Sequence, residues 1–142
     1  MESPIVRICD GMEHMDFARI TEMLGGANWS LGISRAEVEQ GASHSALVVG
    51  AFDGERQIGY ARAISDKTRF AYLSDVFVDE AYRHNGIGQM MVHHILSHPS
   101  LSDVYQWALF TSNAQYVYEQ VGFKTIAQPE CWMQIRNSRP ER

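Results

Sequence analysis

Two glycines separated by one residue lie where a predicted strand passes into a predicted helix. The strand ends near Val78, a polar turn follows, and Gly86 and Gly88 begin an apolar stretch long enough for a helix. The first amides of a helix have no partner within it and lie at the positive end of its dipole, and glycine lets a ligand approach the backbone closely. The pattern predicts a phosphate site or, alternatively, a loop in which glycine only makes the turn.

The residues around these glycines do not match two common nucleotide motifs. Gly86 and Gly88 are not followed by the third glycine of the dinucleotide pattern G-x-G-x-x-G. Gly54 and Gly59 have the spacing of a P-loop, but Tyr60 and Ala61 follow where that loop requires Lys and Ser or Thr. We therefore expect neither a dinucleotide fold nor a P-loop.

The elements that would position the glycines follow from hydrophobic periodicity and turn residues. Helices are predicted at 35–40, 86–97 and 114–120, after a first helix that Asp16 caps and Gly25-Gly26 ends. Strands are predicted at 5–8, 46–52, 57–65, 69–78 and 104–111, with further strand material at 123–135. This order predicts an α+β domain with a mixed central sheet of about six to seven strands flanked by about four helices, in which the strands before and after the 86–97 helix run parallel.

Composition limits the class of protein. The chain has 142 residues and a formal net charge of −5, from 12 Lys and Arg against 17 Asp and Glu. A chain of this size buries enough surface to fold without a disulfide or metal, so we expect one domain over 1–142 with a flexible polar tail at 137–142. The acidic balance and the lack of a Lys/Arg run argue against nucleic acid as a partner and favour small molecules.

Membrane and secretory signals are also missing from the sequence. The apolar stretch 46–52 is far shorter than the roughly 20 residues of a membrane span, and no basic segment followed by an apolar one begins the chain. Cys9 and Cys131 stand far apart and outside any Cys-x-x-Cys spacing, which fits reduced thiols. We therefore expect a cytoplasmic protein with no membrane partner.

Two motifs in the expected order resemble a known family. Arg83-His84-Asn85-Gly86-Ile87-Gly88 resembles the R/Q-x-x-G-x-G/A pyrophosphate motif of the GNAT superfamily of acyl-CoA-dependent N-acetyltransferases. The later stretch 113–123, with Asn113, Tyr118-Glu119 and Gly122-Phe123, is similar to the second signature of that family. The resemblance covers residues 46–123 and is loose before them. It implies a GNAT-like fold with acetyl-CoA as co-substrate and no metal.

The resemblance also implies contacts with coenzyme A. Main-chain groups of the strand would pair with the pantetheine like an added strand, and the amides of the following loop would hold the pyrophosphate. Asn113 would bond the pantetheine arm or a water, unless it only caps its helix. The residues implied in coenzyme A binding are Phe77, Val78, Arg83, His84, Asn85, Gly86, Ile87, Gly88, Gln89, Asn113 and Tyr118.

Tyr118 is implied as the catalytic acid. Its phenol, with an ordinary pKa of about 10, can protonate the departing thiolate, and burial would keep it neutral until then. The alternative is that Tyr118 is simply a buried aromatic between the helix and the sheet. Tyr116, two residues earlier, is the better candidate for pure packing.

The base that would deprotonate the amine is not given by a motif. The glutamate of histone-acetylating members falls at Tyr72, which cannot serve at neutral pH. Ser74 and Asp75 are the nearby catalytic candidates, and strand alternation puts them on opposite faces unless a bulge turns one of them. Asp75 could instead bond backbone amides at such an irregularity, and a chain of waters could take the proton.

Acceptor specificity is implied for the loop between the first two helices, where Trp29 is the one bulky side chain. Trp29 would either stack on a substrate, including a cationic amine, or fill the core between the helices. Trp107 and Trp132 are expected in the core. His94 and His98 have helical i,i+4 spacing, but no motif places a third ligand, so we expect a solvated helix face rather than zinc.

The resemblance implies an acyltransferase that moves the acetyl group of acetyl-CoA to a primary amine of a small molecule or peptide by direct attack. Two alternatives stay open. One is a non-catalytic acyl-CoA-binding or regulatory module, which the presence of Tyr118 and Asn113 disfavours; the other is an enzyme acting on protein lysines or N-termini. Homodimers are common in the family, and the sequence leaves the oligomeric state open.

Overall fold

The fold is built on one five-stranded sheet in the order β1-β2-β3-β4-β5, in a computed structural model that describes residues 5–142. The strands are β1 Val6–Asp10, β2 Leu47–Asp53, β3 Arg56–Ser65, β4 Phe70–Val78 and β5 Gln106–Ala108. The α-helices are α1 Phe17–Gly25, α2 Arg35–Ser43, α3 Ile87–Leu96 and α4 Gln115–Glu119. Neighbours are antiparallel from β1 to β4, whereas β4 and β5 are parallel across α3.

Local side chains begin the helices and close the hairpins where the sequence predicts. Asp16 accepts a hydrogen bond from the Arg19 amide at the start of α1, and Ser34 accepts one from the Glu37 amide at the start of α2. Gly54 takes a left-handed conformation between β2 and β3. In the next turn, Asp66 accepts three backbone amides, which lower the pKa of its carboxyl well below the ordinary value.

The two faces of the sheet bury different cores. On one face α3 packs against residues of β2, β3 and β4 such as Val49, Ile58 and Leu73. On the other face α1 and α2 bury a second cluster that includes Ile20 and Tyr60. Because β3 and β4 are covered on both faces, each can present a functional group to either side of the sheet.

The prediction of strands over 123–135 is wrong, and the sheet has five strands instead of six to seven. The reason lies in β5, which pairs with β4 for three residues before the chain leaves the sheet, so no extended edge remains for another strand. Pro129 begins a 3-10 turn, and Met133 is 94% exposed. Trp132, expected in the core, is 46% exposed and packs on Phe70.

Other expectations on burial have mixed outcomes. Trp107 packs against the α3 core as expected. Tyr116, expected to serve packing, is 66% exposed instead, because α4 turns its opposite side toward the core. Both cysteines are free, with Cys131 at the surface. In residues 5–142 no helix has the length and apolar character to cross a membrane.

An ion pair fastens α1 to the end of β4. Arg19, largely buried, bonds the carboxylate of Asp79 and donates through Nε to the Gln57 carbonyl at 3.0 Å. Asp79 also accepts the Ala81 amide at 2.9 Å and so caps the 3-10 turn Glu80–Tyr82. The Ala81 amide and, after it, Arg19 hold the pKa of Asp79 below its ordinary value, against an opposing effect of burial.

We expect Asp79→Asn to lower the free energy of unfolding at pH 7 by about 1 kcal/mol, because a charge-assisted hydrogen bond is lost. The folded pKa lies below the unfolded value of about 4, so the stabilisation is full above pH 4 and disappears as the pH falls through the folded pKa. Urea denaturation at pH 7, 5 and 3 measures this. The difference from the unchanged protein should shrink at pH 3; a constant difference would contradict the assignment. Exposed Asp103→Asn is the control.

Candidate active site

A slot opens between β4 and β5. The two strands pair only from Phe70 with Gln106 to Tyr72 with Ala108. Beyond Tyr72, β4 continues to Val78 and pairs with β3 alone. The outer edge of β4 over residues 73–78 therefore carries backbone groups without a strand partner, a surface on which an extended ligand can pair.

A bulge in β4 lies at the widening end of the slot. Tyr60 pairs with Phe77 and Arg62 pairs with Ser74, so one residue of β3 is opposite two of β4. Asp75 absorbs the extra residue with a left-handed φ of 56°, which Asp tolerates better than most residues. The irregularity considered near Ser74-Asp75 is present.

The bulge changes which side chains share a face. Ser74 is opposite Arg62, whose guanidinium contacts the Gly41 carbonyl of α2, so Ser74 lies on the α1/α2 face. Asp75 bonds the same guanidinium, whereas Val76 packs with the α3 core. Strict alternation would separate Ser74 from Asp75; the bulge places both on the α1/α2 side.

Asp75 is held by two side chains rather than by backbone amides. Its Oδ2 accepts from Arg62 Nε at 2.8 Å and its Oδ1 accepts from Trp29 Nε1 at 3.3 Å, and little of the carboxylate is exposed. Each oxygen of this carboxylate therefore already accepts a hydrogen bond from a side chain. The geometry suits a fixed negative charge better than a free base.

Trp29 lies over this carboxylate and does not fill the core. It is 51% exposed and meets Phe77 edge-on at 6.3 Å between ring centroids. Its indole N–H donates to Asp75, and the exposed part of the ring is a surface on which a cation can stack.

The loop that follows β4 forms an open cradle at the start of α3. Gly86 is the N-cap of α3 with a left-handed φ of 73° and no side-chain cap, and His84 is also left-handed. A Cβ on Gly86 would meet no atom within 4 Å, and one on Gly88 would lie 3.8 Å from Val78. The fold leaves space above the first amides of α3, as an anion site requires.

Side chains hold the cradle in shape. Asn85 donates through Nδ2 to the Tyr82 carbonyl at 3.0 Å and to the Arg83 carbonyl at 3.2 Å. Tyr82 in turn donates its hydroxyl to Asp53 at 2.6 Å. These bonds use the side chain of Asn85 for the loop itself, so the backbone is what the cradle offers to a ligand.

Arg83 folds back over the slot. Its Nε donates to the Val78 carbonyl at 3.0 Å, and its guanidinium lies 5.3 Å from the Phe77 ring centre. The Asp79 amide faces β3, where it bonds Ile58, so the main-chain groups of Val78 face the open side while those of Phe77 face β3. Of the two residues implied in pantetheine pairing, Val78 therefore has the accessible backbone.

Helix α4 is tied to the first turn of α3. Gln89 donates to the Val117 carbonyl at 3.3 Å and to the Gln120 side chain at 2.6 Å. Gln89, implied in coenzyme A binding, thus positions α4. The α3 core and Phe123 pack against half-buried Tyr118, and burial raises the pKa of its hydroxyl above the ordinary value. This phenol stays a proton donor across neutral pH.

Asn113 is exposed and does not cap α4. Thr111 bonds the Ala114 amide at 3.2 Å in its place. The amide group of Asn113 is therefore left for a ligand, and the capping alternative does not apply in this structure.

Arg62 is the residue that sequence reasoning missed. It is the one charged side chain within the buried run of β3, and it bonds Asp75 at a position where a strand core otherwise carries apolar residues. A lone arginine in such a run is the signal that could have identified it, because a buried charge requires a partner.

His94 of α3 and His98, which follows the helix, contact an acid away from the slot. Asp10 Oδ2 lies 2.7 Å from His94 Nε2 and 3.5 Å from His98 Nε2. The Ser100 amide donates to His98 Nδ1, so the neutral ring of His98 carries its proton on the nitrogen that faces Asp10. Within the described part of the chain, no group of three or more His, Cys, Asp or Glu is arranged to hold a metal.

Comparisons with known proteins agree with this geometry. A family model described as an acetyltransferase (GNAT) domain matches residues 43–125. A GNAT-family protein from Xanthomonas campestris pv. campestris is 31% identical, with a TM-score of 0.88 and 96% of each chain covered. A GNAT-family acetyltransferase from Streptococcus pneumoniae, at 22% identity, has a TM-score of 0.75 over 96% of this chain and 100% of that one, which shows the shared fold. No curated protein matches the sequence.

The family match spans more than half of the chain and includes the slot, the bulge, the cradle and Tyr118. The chain belongs to the GNAT acetyltransferase family.

Proposed function

We propose that the protein transfers the acetyl group of acetyl-CoA to a primary amine by direct attack of the amine on the thioester. The observation that carries this proposal is the slot beside β4, which runs from the bulge at Asp75 to the open cradle at Gly86 and Gly88. One end suits an anionic pyrophosphate and the other presents a carboxylate and an aromatic ring to an amine.

The binding of acetyl-CoA uses the α3 side of the sheet. The amides at the start of α3 hold the pyrophosphate, and the arm pairs with the outer edge of β4 at Val78. Arg83 leaves the Val78 carbonyl as the arm enters, since both use the same acceptor. Asn113 bonds the arm from the other side.

The chemical step joins the two faces of the sheet. The amine nitrogen attacks the thioester carbon, a backbone amide of β4 near Val76 to Val78 stabilises the oxyanion, and the carbon–sulfur bond breaks. Tyr118 gives its proton to the thiolate, and water takes the proton that the amine loses. Asp75 holds the cationic amine near the bulge before attack and is a positioning charge, with Ser74 beside it.

The cradle can be tested with a negative charge, which repels an anionic ligand but does not destabilise α3. Gly88 is the second residue of α3, where an acid favours the helix dipole, so Gly88→Glu should not lower stability. It should weaken coenzyme A binding by more than about 100-fold in calorimetric titration at low salt, because it repels the pyrophosphate.

Gly88→Gln is the matched control, with the same size and no charge. It should bind coenzyme A more tightly than Gly88→Glu, and the gap should narrow as salt rises. Equal affinities for the two variants would mean that no anion lies at the start of α3.

The proposed acid role of Tyr118 can be tested by comparing two tyrosine variants of α4. Tyr118→Phe should lower kcat by about 100-fold and leave coenzyme A affinity within about twofold, because the phenyl ring keeps the packing and only the proton donor is lost. Since the pKa of Tyr118 is raised, the unchanged enzyme should show no loss of rate from this group below about pH 10. Exposed Tyr116→Phe is the control and should be silent. An unchanged kcat in Tyr118→Phe would remove the acid role.

A variant of Asp75 can distinguish a positioning charge from a general base. Asn fits the left-handed backbone, so Asp75→Asn keeps the bulge. We expect KM for the amine to rise by about 10-fold, kcat to fall by less than about 10-fold, and the pH profile of kcat to keep its shape. A loss of about 100-fold or more in kcat that alkaline pH or added small bases restore would identify Asp75 as the base instead.

A further inference from the structure

A cleft on the α2 side of the bulge is lined by two acidic side chains and one basic side chain. The cleft has a volume of about 330 Å3, and its charged lining residues are Glu37, Arg62 and Asp75. Arg62 is committed to Asp75 at 2.8 Å and to the Gly41 carbonyl and the Ser45 hydroxyl at 3.3 Å each. The three charged lining residues sum to −1, and the partner of the Glu37 carboxylate, Arg142, is not among the lining residues.

Glu37 is not used by its own helix. It is the third residue of α2 and follows Ser34 in the S-x-x-E pattern, in which the acid ordinarily reaches back to the N-cap amide. Here Ser34 still accepts the Glu37 amide at 3.2 Å, but the Glu37 carboxylate points elsewhere and bonds Arg142 at 2.6 Å. The Glu37 carboxylate thus has the Arg142 guanidinium as its partner and not the start of its own helix.

A guanidinium of the chain itself is the partner of this acid. The side chain of Arg142 is 12% exposed and lies against Gly32, where a glycine Cβ would be 3.1 Å from Arg142 Cβ. Arg139 donates to the Trp29 carbonyl at 2.9 Å and holds the same segment along the loop. The Glu37 carboxylate, which lines the cleft, therefore already accepts a guanidinium at the end of an alkyl chain.

The contact of Arg142 with Glu37 is exchangeable. Glu37 is 42% exposed, and an ion pair with one partner in solvent contributes little to folding. A ligand cation with a comparable stem can take the place of Arg142 without breaking the core.

A buried hydroxyl on the same face of the sheet lacks a protein partner. Among residues 5–142, Tyr60 Oη is the buried side-chain polar atom without a hydrogen bond. Tyr60 is on the α1/α2 side of β3, two residues before Arg62, and the charges of Arg62 and Asp75 act on it. Buried polar groups in native proteins are nearly always satisfied, so this hydroxyl points to a ligand or water that completes the site.

We propose that this cleft selects a small acceptor with two cationic nitrogens, a diamine, whose reacting amine lies at Asp75 and Trp29 and whose second cation replaces Arg142 on Glu37. The inference rests on the proposed acetyl transfer and adds its substrate class. Arg142 then competes with the substrate for Glu37, and Glu37 recognises the second cation of the substrate.

If the proposal is right, removing the charge of Glu37 and removing the charge of Arg142 have opposite effects on KM for a diamine. Glu37→Gln removes the binding charge and should raise KM for a diamine by about 10-fold, while Arg142→Gln removes the competitor and should lower KM for it by about threefold or more. A monoamine does not reach Glu37, so its KM should change by less than about twofold in both variants. Gln suits the S-x-x-E position, so Glu37→Gln preserves the start of α2.

The assay measures thiol release from acetyl-CoA with α,ω-diamines of three to six carbons and with n-butylamine as the monoamine. Glu39→Gln is the matched control, because Glu39 is on the same helix and pairs with Arg35 rather than lining the cleft. Parallel calorimetric titrations of 1,4-diaminobutane into the protein saturated with coenzyme A report binding without turnover and should follow the same order of affinities.

The outcomes distinguish failure of the diamine inference from failure of the proposed acetyl transfer. If Glu37→Gln and Arg142→Gln shift diamine binding in the same direction, or shift diamines and n-butylamine equally, the ion pair is structural and the diamine inference is wrong, while acetylation of n-butylamine would leave the proposed function in place. If coenzyme A does not bind, or it binds and no amine is acetylated, the proposed function fails and the inference fails with it.

Discussion

The separation of β4 from β5 opens the slot along which the candidate active site is arranged. Three residues of parallel pairing hold β5 to the sheet, and after Tyr72 the two strands separate. Backbone groups at a sheet edge need partners, and β4 over residues 73–78 has them on the β3 side alone. An extended ligand can supply the missing partners. The cradle at Gly86 is at the far end of the same edge, because the chain leaves β4 directly into it.

The bulge at Asp75 gives this edge its second function. An extra residue in β4 turns Asp75 to the face that already carries Arg62, so a carboxylate and a guanidinium pair within a mostly apolar layer. Partly buried ion pairs contribute little net stability, because desolvation offsets their attraction. The Arg62–Asp75 pair therefore serves to orient its neighbours. Arg62 links the bulge to α2, and Asp75 fixes the direction of the Trp29 indole.

Much of this could be predicted because it is local. Asp16 and Ser34 cap their helices through residues three positions away, and Gly86 turns the chain with its own φ. The sequence could offer the bulge only as one alternative, because the alternation of side chains along a strand does not show where an extra residue is inserted. The contacts of Arg62 and Arg142 could not be predicted, because their partners lie 13 and 105 positions away in the sequence. The strands expected over 123–135 failed for a related reason: apolar alternation predicts a strand only where a neighbouring edge exists.

The two faces of β4 separate the requirements of two ligands with opposite charge. The α3 face offers helix amides to an anion, and the α1/α2 face offers carboxylates to a cation. If both kinds of group lined one cavity, Glu37 and Asp75 would repel the pyrophosphate and the cradle would repel the amine. The sheet keeps them apart, and the bulge is where the backbone is open to both. Arg83 and Arg142 each cover a group that one of the proposed ligands would use: the Val78 carbonyl at the open edge of β4 and the Glu37 carboxylate in the first turn of α2. Under the proposed acetyl transfer, each ligand displaces a guanidinium of the chain, one at the open edge of β4 and the other in the first turn of α2.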